Sequence, residues 1–313
     1  HTYTHACTYT HTHTHAHIHI HAHTRIHTRT VKVREELEEA QVAFQRDLEA
    51  RNQAIDKFKD TIRKQRSSIA QSEAEQTTLR DDLKNFEILL GNGDEWNINL
   101  SYKVQKKPEG IAQSLIIGEK FLSNSNLALV LGDNIFYGPN LEKLLKNAHN
   151  KDRGATVFAY KAKKPENYGV IEFENKKIKS IIEKPNDPKS NYIITGLYFY
   201  DEHAVEYAKS LKPSKRGELE ITDINNIYLE KKLLDSEIMN ENYSWLDTGT
   251  HDSLLEAGNF ISKIEKEKGV KIYCPEEISF KKKWITKNQL NKISNDFINT
   301  NYGKYLKTIV EES

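Results

Sequence analysis

Asn126-Leu127-Ala128-Leu129-Val130-Leu131 runs directly into Gly132-Asp133-Asn134, and this stretch decides the fold. An unbroken apolar run of strand length that ends in Gly-Asp predicts a buried β-strand delivering a carboxylate to the carboxyl edge of a sheet. That edge is where open α/β folds bind ligands. Over a hundred residues later, Trp245-Leu246-Asp247-Thr248-Gly249-Thr250 repeats the arrangement, a lone carboxylate beside glycine and hydroxyls. Two sparse carboxylates suit a hard divalent cation. Mg2+ takes only one or two protein carboxylates and completes its shell with water and phosphate oxygens, so Asp133 and Asp247 point to phosphate chemistry.

Outward from this strand the texture is α/β. Upstream, Leu83–Leu90 reads as a helix stopped by Gly91-Asn92-Gly93, Asn99–Gln105 as a strand, and Gly110–Phe121 as a helix after a Pro108-Glu109-Gly110 turn. Downstream come a helix over 140–149 and a strand over 154–160. Gly169–Glu174, Lys177–Glu183 and Tyr192–Tyr200 follow as strands of an antiparallel layer. The last hundred residues read as mainly helical.

Residues 1–82 differ in kind. Within the segment 1–32, every position from 1 to 30 except Cys7 alternates histidine or a relative with threonine or a relative, as in His11-Thr12-His13-Thr14-His15. A CA-dinucleotide repeat reads CAC-ACA, which is His-Thr, and single base changes give Tyr, Arg, Ala and Ile. The tract therefore reads as translated repeat DNA, a disordered segment rather than a selected metal tract. Residues 33–82 read as a long helix. Leu37, Phe44 and Phe58 take one heptad position and Leu48, Ile55, Ile62 and Ile69 another, the seam of a coiled coil broken by Arg34, Gln41, Arg51 and Gln65. The predicted organisation is thus a tract over 1–32, a helix over 33–82 and a catalytic-type domain over 83–313.

Composition narrows the classes. A net charge of +1 with lysines interleaved among acids leaves no basic stripe for nucleic acid. Cys7 and Cys274 stand alone, without metal-ligand spacing, which predicts a reducing, cytoplasmic setting. No apolar run reaches the roughly 20 residues that a membrane span requires, so no membrane partner is expected.

Further motifs carry a resemblance. Val104-Gln105 with Pro108-Glu109-Gly110-Ile111-Ala112-Gln113, Leu129–Gly138, Tyr168-Gly169-Val170, Glu183-Lys184-Pro185, Thr195–Asp201, Arg216–Asp223, Trp245–Thr250 and Cys274-Pro275-Glu276-Glu277-Ile278 follow one another in order. Over about 82–308 the chain resembles the sugar-1-phosphate nucleotidylyltransferases, nearest to the glucose-1-phosphate thymidylyltransferases. The resemblance implies a Rossmann-like nucleotidyltransferase sheet with an antiparallel sugar-binding layer and carboxyl-terminal helices. It implies Mg2+ as cofactor, thymidine triphosphate and glucose 1-phosphate as substrates, and a homo-oligomer.

Residue roles follow from the matching motifs. Asp133 and Asp247 correspond to the metal ligands, Gln105 and Gly110 to the segment that reads the base, and Tyr168, Gly169 and Glu183 to the sugar pocket. Lys184 and Arg216 correspond to the catalytic cations that meet phosphate. Trp245 either packs beside Asp247 and dries the site or belongs to the core, while His149, His203 and His251 match no role. The family also opens on a strand and a Gly-Gly-x-Gly-Thr-Arg loop that wraps the triphosphate with backbone amides. No such motif occurs in this sequence. The expectation is a sheet lacking its amino-terminal strands, a join near Leu79-Arg80-Asp81-Asp82 and an impaired enzyme. The competing readings are a non-catalytic coiled-coil protein that binds a sugar nucleotide, and a nucleotidylyltransferase that uses another nucleotide.

Overall fold

A computed structural model describes residues 82–313 of the chain. The expected tract over 1–32 and all but the last residue of the expected helix over 33–82 lie outside the described residues. The elements run α1 (82–90), α2 (Gln113–Ile117), α3 (Glu119–Leu122), β1 (Leu127–Val130), β2 (Asn134–Tyr137), α4 (Leu141–His149), β3 (Ala155–Lys161), β4 (Gly169–Glu174), β5 (Lys177–Glu183), β6 (Tyr192–Tyr200), α5 (Ala204–Ser210), α6 (Ile221–Glu230), β7 (Leu234–Met239), β8 (Ser244–Asp247), α7 (His251–Lys268), α8 (Pro275–Lys281), α9 (Lys287–Asp296) and α10 (Asn301–Glu312). Residues 87–313 form one compact unit.

A mixed sheet in the order β5-β4-β6-β3-β7 makes the frame, with β1 also paired to β6. Strand β3 runs antiparallel along one edge of β6, so β4 and β1 share the other: β4 meets Tyr192 and Ile193, and β1 meets Leu197–Tyr200. The pairing of β3 with β7 is parallel. Strand β6 is buried over most of its length because it has neighbours on both edges and helices against its face, which is why its sequence is almost continuously apolar. The main core gathers Leu127, Leu129, Val157, Ile171, Ile194 and Tyr198 from the sheet against Leu115, Ile224 and Tyr228 from the helices.

The sequence reading and the structure agree on the bounds of β4, β5 and β6. They differ at three places. Residues 99–105 form no strand; the Gln105 side chain instead fastens the following turn, and among the described residues no neighbouring strand supplies a ladder. The expected helix over 110–121 is split into α2 and α3 at Gly118, whose N–H ends α2 on the Ser114 carbonyl at 2.9 Å. Strands β2, β7 and β8 were not foreseen. Each is short, and β2 and β8 pair only with each other across more than a hundred residues.

The carboxyl-terminal helices make their own small core from Cys274, Ile285, Leu290, Ile293, Leu306 and Val310. A Thr250–Ser253 capping box starts α7 and a Thr286–Gln289 box starts α9. Buried Glu276 accepts from the indole nitrogen of Trp96 at 3.2 Å and from the Tyr302 hydroxyl, tying the turn at Asp94–Trp96 onto α8. Cys274 is a free, buried thiol, and burial pushes its pKa up to about 11. Among the described residues no helix is long and apolar enough to cross a membrane.

A buried carboxylate secures the far end of the sheet. Asp201, 3% exposed, accepts from the Gly154 amide at 2.7 Å, the His203 amide at 3.1 Å and the Tyr228 hydroxyl at 2.6 Å. Gly154 reaches it with φ +92°, where a Cβ would lie 2.3 Å from the Leu233 carbonyl oxygen. Loss of one hydrogen bond to such a group costs about 1.5–3 kcal/mol. Tyr228→Phe should lower unfolding stability by that amount in urea titration; an unchanged midpoint would show that Asp201 is satisfied without it.

Candidate active site

The β2–β8 ribbon brings the two aspartates together. In its register Asn134 lies opposite Asp247, and Asp133 immediately precedes Asn134. The pairing continues past the strand end, where Thr248 donates to the Asp133 carbonyl from its amide at 2.8 Å and its hydroxyl at 2.9 Å. The Asp133 carboxylate accepts from Asn134 Nδ2 at 2.8 Å; that of Asp247 accepts from the Gly249 amide at 3.0 Å and the Tyr168 hydroxyl at 3.1 Å. Burial first, then the Asp247 and Asp133 charges, raise the pKa of Tyr168 well above the ordinary phenol range. Its hydroxyl therefore remains a donor, and it senses both carboxylates.

A second cluster stands on the antiparallel layer. Gly169 opens β4 and Glu183 closes β5, directly opposite in register, and the Lys184 amide donates to the Tyr168 carbonyl at 3.0 Å. The Thr222 hydroxyl, from α6, donates to Glu183 Oε2 at 2.5 Å. A side chain at Gly169 would be a tight fit, because a Cβ there would lie 3.0 Å from Thr222 Oγ1 and 3.3 Å from Glu183 Oε2. Burial, assisted by the charge of Glu220, raises the pKa of Glu183 against the opposing Thr222 bond and the cations Lys184 and Arg216. Lys184 is exposed and holds φ 40° ahead of Pro185. A left-handed conformation is costly for a non-glycine, roughly 1–3 kcal/mol, and such strain concentrates at functional positions.

Arg216 faces carboxylates. Its Nη2 lies 2.7 Å from Glu220, 3.2 Å from Glu218 and 3.6 Å from Glu183, and its Nε donates to Glu220 at 3.1 Å. The two-point contact with Glu220 is the guanidinium–carboxylate fork. Although burial pushes the other way, the Arg216 and Ser214 hydrogen bonds hold the Glu220 pKa below the usual carboxylate value.

The turn at Gly110 completes the chain of contacts. Buried Gln105 donates from Nε2 to the Gly110 carbonyl at 3.1 Å and to Gln113 at 2.5 Å. Gly110, at φ +103°, presses so closely on Leu219 that a Cβ would fall 2.3 Å from its carbonyl oxygen. Leu219 donates to the Glu109 carbonyl at 2.7 Å and precedes Glu220. An unbroken path thus runs from Gln105 and Gly110 through Leu219–Glu220 to Arg216 and Glu183, and from Tyr168 to Asp247 and Asp133. Sequence reasoning assigned no role to Asn134, Thr222 or Glu220. Asn134 and Thr222 lie within quoted motifs, yet their partners are fixed only by the fold. Trp245 is half-buried, with its indole N–H on Asn134 Oδ1 at 2.7 Å and its ring 5.2 Å from that of Tyr168.

Among the described residues no group of three or more His, Cys, Asp or Glu side chains could hold a metal. The Asp133–Asp247 pair offers hard oxygens alone. That donor set fits a hexacoordinate, oxygen-seeking dication that brings its own water and phosphate ligands, and is wrong for zinc.

Comparison with known proteins adds lineage to this geometry. A model of the nucleotidyl transferase family matches residues 31–264. A glucose-1-phosphate thymidylyltransferase of Neisseria meningitidis serogroup A is 48% identical over 236 residues, covering 75% of this chain and 82% of the relative. One from Mycolicibacterium smegmatis is 44% identical over 235 residues, covering 75% and 81%. A crystal structure assigned as a glucose-1-phosphate thymidylyltransferase from Bacillus anthracis, in complex with a sucrose, superimposes with a TM-score of 0.53 at 42% identity, over 57% of this chain and 71% of that one.

The raised pKa of Glu183 makes stability depend on pH. The folded state favours its protonated form, so its contribution is full below the unfolded carboxyl pKa of ~4.3. That contribution is lost as pH rises through the raised folded value. Glu183→Gln removes the titration and should gain stability relative to the parent as pH climbs from about 4 to about 7. Urea titrations across that range check it; a constant difference would contradict the burial of this charge.

Proposed function

This chain belongs to the nucleotidyl transferase family, and we propose that it transfers a thymidylyl group from thymidine triphosphate to glucose 1-phosphate. A phosphate oxygen of the sugar phosphate attacks the α-phosphorus, forming a new P–O bond. The bond from the α-phosphorus to its bridging oxygen breaks and pyrophosphate departs, leaving thymidine diphosphate glucose. The nucleophile is already an anion, so no general base is needed, and the protein's task is positioning and charge neutralisation. The observation that carries this reading is the ribbon register that puts Asp133 and Asp247 side by side, next to Tyr168 and the Gly169–Glu183 pair.

In this reading Asp133 and Asp247 hold Mg2+. When bound, the ion neutralises phosphate oxygens and lowers the cost of charge developing on the leaving group. Glu183, oriented by the Thr222 hydroxyl, accepts hydrogen bonds from sugar hydroxyls, and the missing side chain of Gly169 lets Thr222 and Glu183 close on that point of β4. Lys184, turned outward by its left-handed backbone, meets the sugar phosphate. Arg216 serves the same phosphate while offsetting the crowd of carboxylates at Glu183, Glu218 and Glu220. The Gly110 turn, held from beneath by Gln105, presents main-chain groups to the base. A homo-oligomer belongs to the reading, supported by the exposed Leu254 and Leu255 of α7. A cytoplasmic setting is supported by the free thiol of Cys274.

Pyrophosphate release from thymidine triphosphate and glucose 1-phosphate with Mg2+ tests the assignment. Asp133→Ala and Asp247→Ala should each lower kcat/KM by about a hundredfold or more. Undiminished turnover in both variants would sink the metal assignment. Binding of thymidine diphosphate glucose with no turnover in the parent chain would identify a binding protein instead.

A further inference from the structure

Three hydrogen bonds hold the amide of Asn134 and fix its orientation. Its Oδ1 accepts from the Gly196 amide at 2.9 Å and from Trp245 Nε1 at 2.7 Å, while its Nδ2 donates to Asp133 Oδ1 at 2.8 Å. Two donors on one side and a carboxylate on the other exclude the flipped amide, which would set N–H against N–H. The packing leaves no slack, because a Cβ at Gly196 would fall 2.7 Å from Asn134 Oδ1. The carboxylate of Asp133 is therefore aimed by a group that β6 and β8 hold from behind.

Trp245 touches the orienting group of both aspartates. Ribbon residues two apart share a face, so Trp245 and Asp247 lie on the same side, and Asn134 sits opposite Asp247. From that place the indole N–H secures Asn134, which aims Asp133. The indole ring meets Tyr168 edge-on, centroids 5.2 Å apart and planes at 75°, and the Tyr168 hydroxyl donates to Asp247. Tyr160 supports the indole with its own ring at 5.8 Å. This geometry exceeds what core filling requires: a phenylalanine would fill similar space but could not hold Asn134.

We infer that Trp245 is a positioning residue, fixing the mutual geometry of the Asp133 and Asp247 carboxylates through Asn134 on one side and Tyr168 on the other. The inference rests on the metal-dependent transfer proposed above. Outer partners that orient metal ligands are commonly worth 10- to 100-fold in affinity. Trp245 would therefore act on metal binding before any substrate is present.

Mn2+ alone, followed by the electron paramagnetic resonance of the free ion as the full chain is titrated, reads this without catalysis. The parent chain should bind Mn2+ and Asp133→Asn should abolish binding. Trp245→Phe keeps a ring but removes the N–H, and should weaken affinity about tenfold. Asn134→Ala should weaken it at least as much, and the double variant no further than Asn134→Ala alone, because both changes break one link. A merely structural tryptophan would lower the melting temperature and leave affinity unchanged, or give losses that add. Either result, in a chain that still melts cooperatively, overturns the inference while leaving the metal assignment standing. A parent chain that binds no Mn2+ overturns that assignment, and the inference with it. Should Trp245→Phe fail to fold, Asn134→Ala and Tyr168→Phe break the two arms separately. Undiminished affinity in both is then the overturning result.

Discussion

The antiparallel pairing of β2 with β8 is the contact on which the candidate site depends. Each strand is only four residues long, and the segments they come from are separated by more than a hundred residues. A slip of one residue would turn every side chain of one strand to the opposite face, parting Asp247 from Asn134 and Trp245 from the same amide. Thr248, with two hydrogen bonds to one carbonyl of Asp133, extends the pairing past the strand end and opposes such a slip. So short a ribbon has little stability of its own. Its register is supported from outside by Gly196 of β6, which donates to the Asn134 side chain, and by Phe136 and Tyr243, which pack in the core formed with Phe158 and Leu197.

A comparable dependence governs the cluster around Glu183. Glu183 stays in place because three elements converge on it: Gly169 across the β4–β5 ladder, Thr222 from α6 and Arg216 from the loop before α6. Burial disfavours its charge, and Glu220 worsens matters, while Arg216 and Lys184 offset the repulsion. Under the proposed function Arg216 would be shared between structure and chemistry. Each hydrogen bond it gives Glu220 is one fewer for an anionic ligand, so phosphate binding there requires a redistribution of its donors.

Much of this was legible in the sequence, for a physical reason. Strands β4, β5 and β6 were read with their correct bounds because each has a buried face whose apolar pattern is local. Asp133 and Asp247 are legible because each is a lone carboxylate close to glycine, a signal contained within a few residues. What escaped depends on distant partners. Residues 99–105 carry a strand-like composition, yet no neighbouring edge is available to them. Strands β2 and β8 are too short to show a period. The bond between Thr222 and Glu183 spans 39 positions, and the Trp245–Asn134 bond spans 111. No local pattern encodes either. The left-handed turn at Lys184 runs against what a residue before proline ordinarily adopts, so sequence rules point away from it.

The charges of the site also bear on what it can bind. Among the described residues, Asp133, Asp247, Glu183, Glu218 and Glu220 lie along one path, whereas Lys184 and Arg216 are the cations on it, so the acids outnumber them. Such a field repels a triphosphate and a sugar phosphate, both anions, and attracts a dication. A cation seated between Asp133 and Asp247 would change the sign of the field at the point where phosphate must arrive. In the proposed reaction, this electrostatics would have a metal, alone or carried by the nucleotide, precede or accompany the phosphate groups. The rigid aim of the two carboxylates matters for the same reason. A pair held apart by mutual repulsion would have to be drawn together by the ion at a cost in affinity, whereas a pair fixed through Asn134 and Tyr168 meets it already in place.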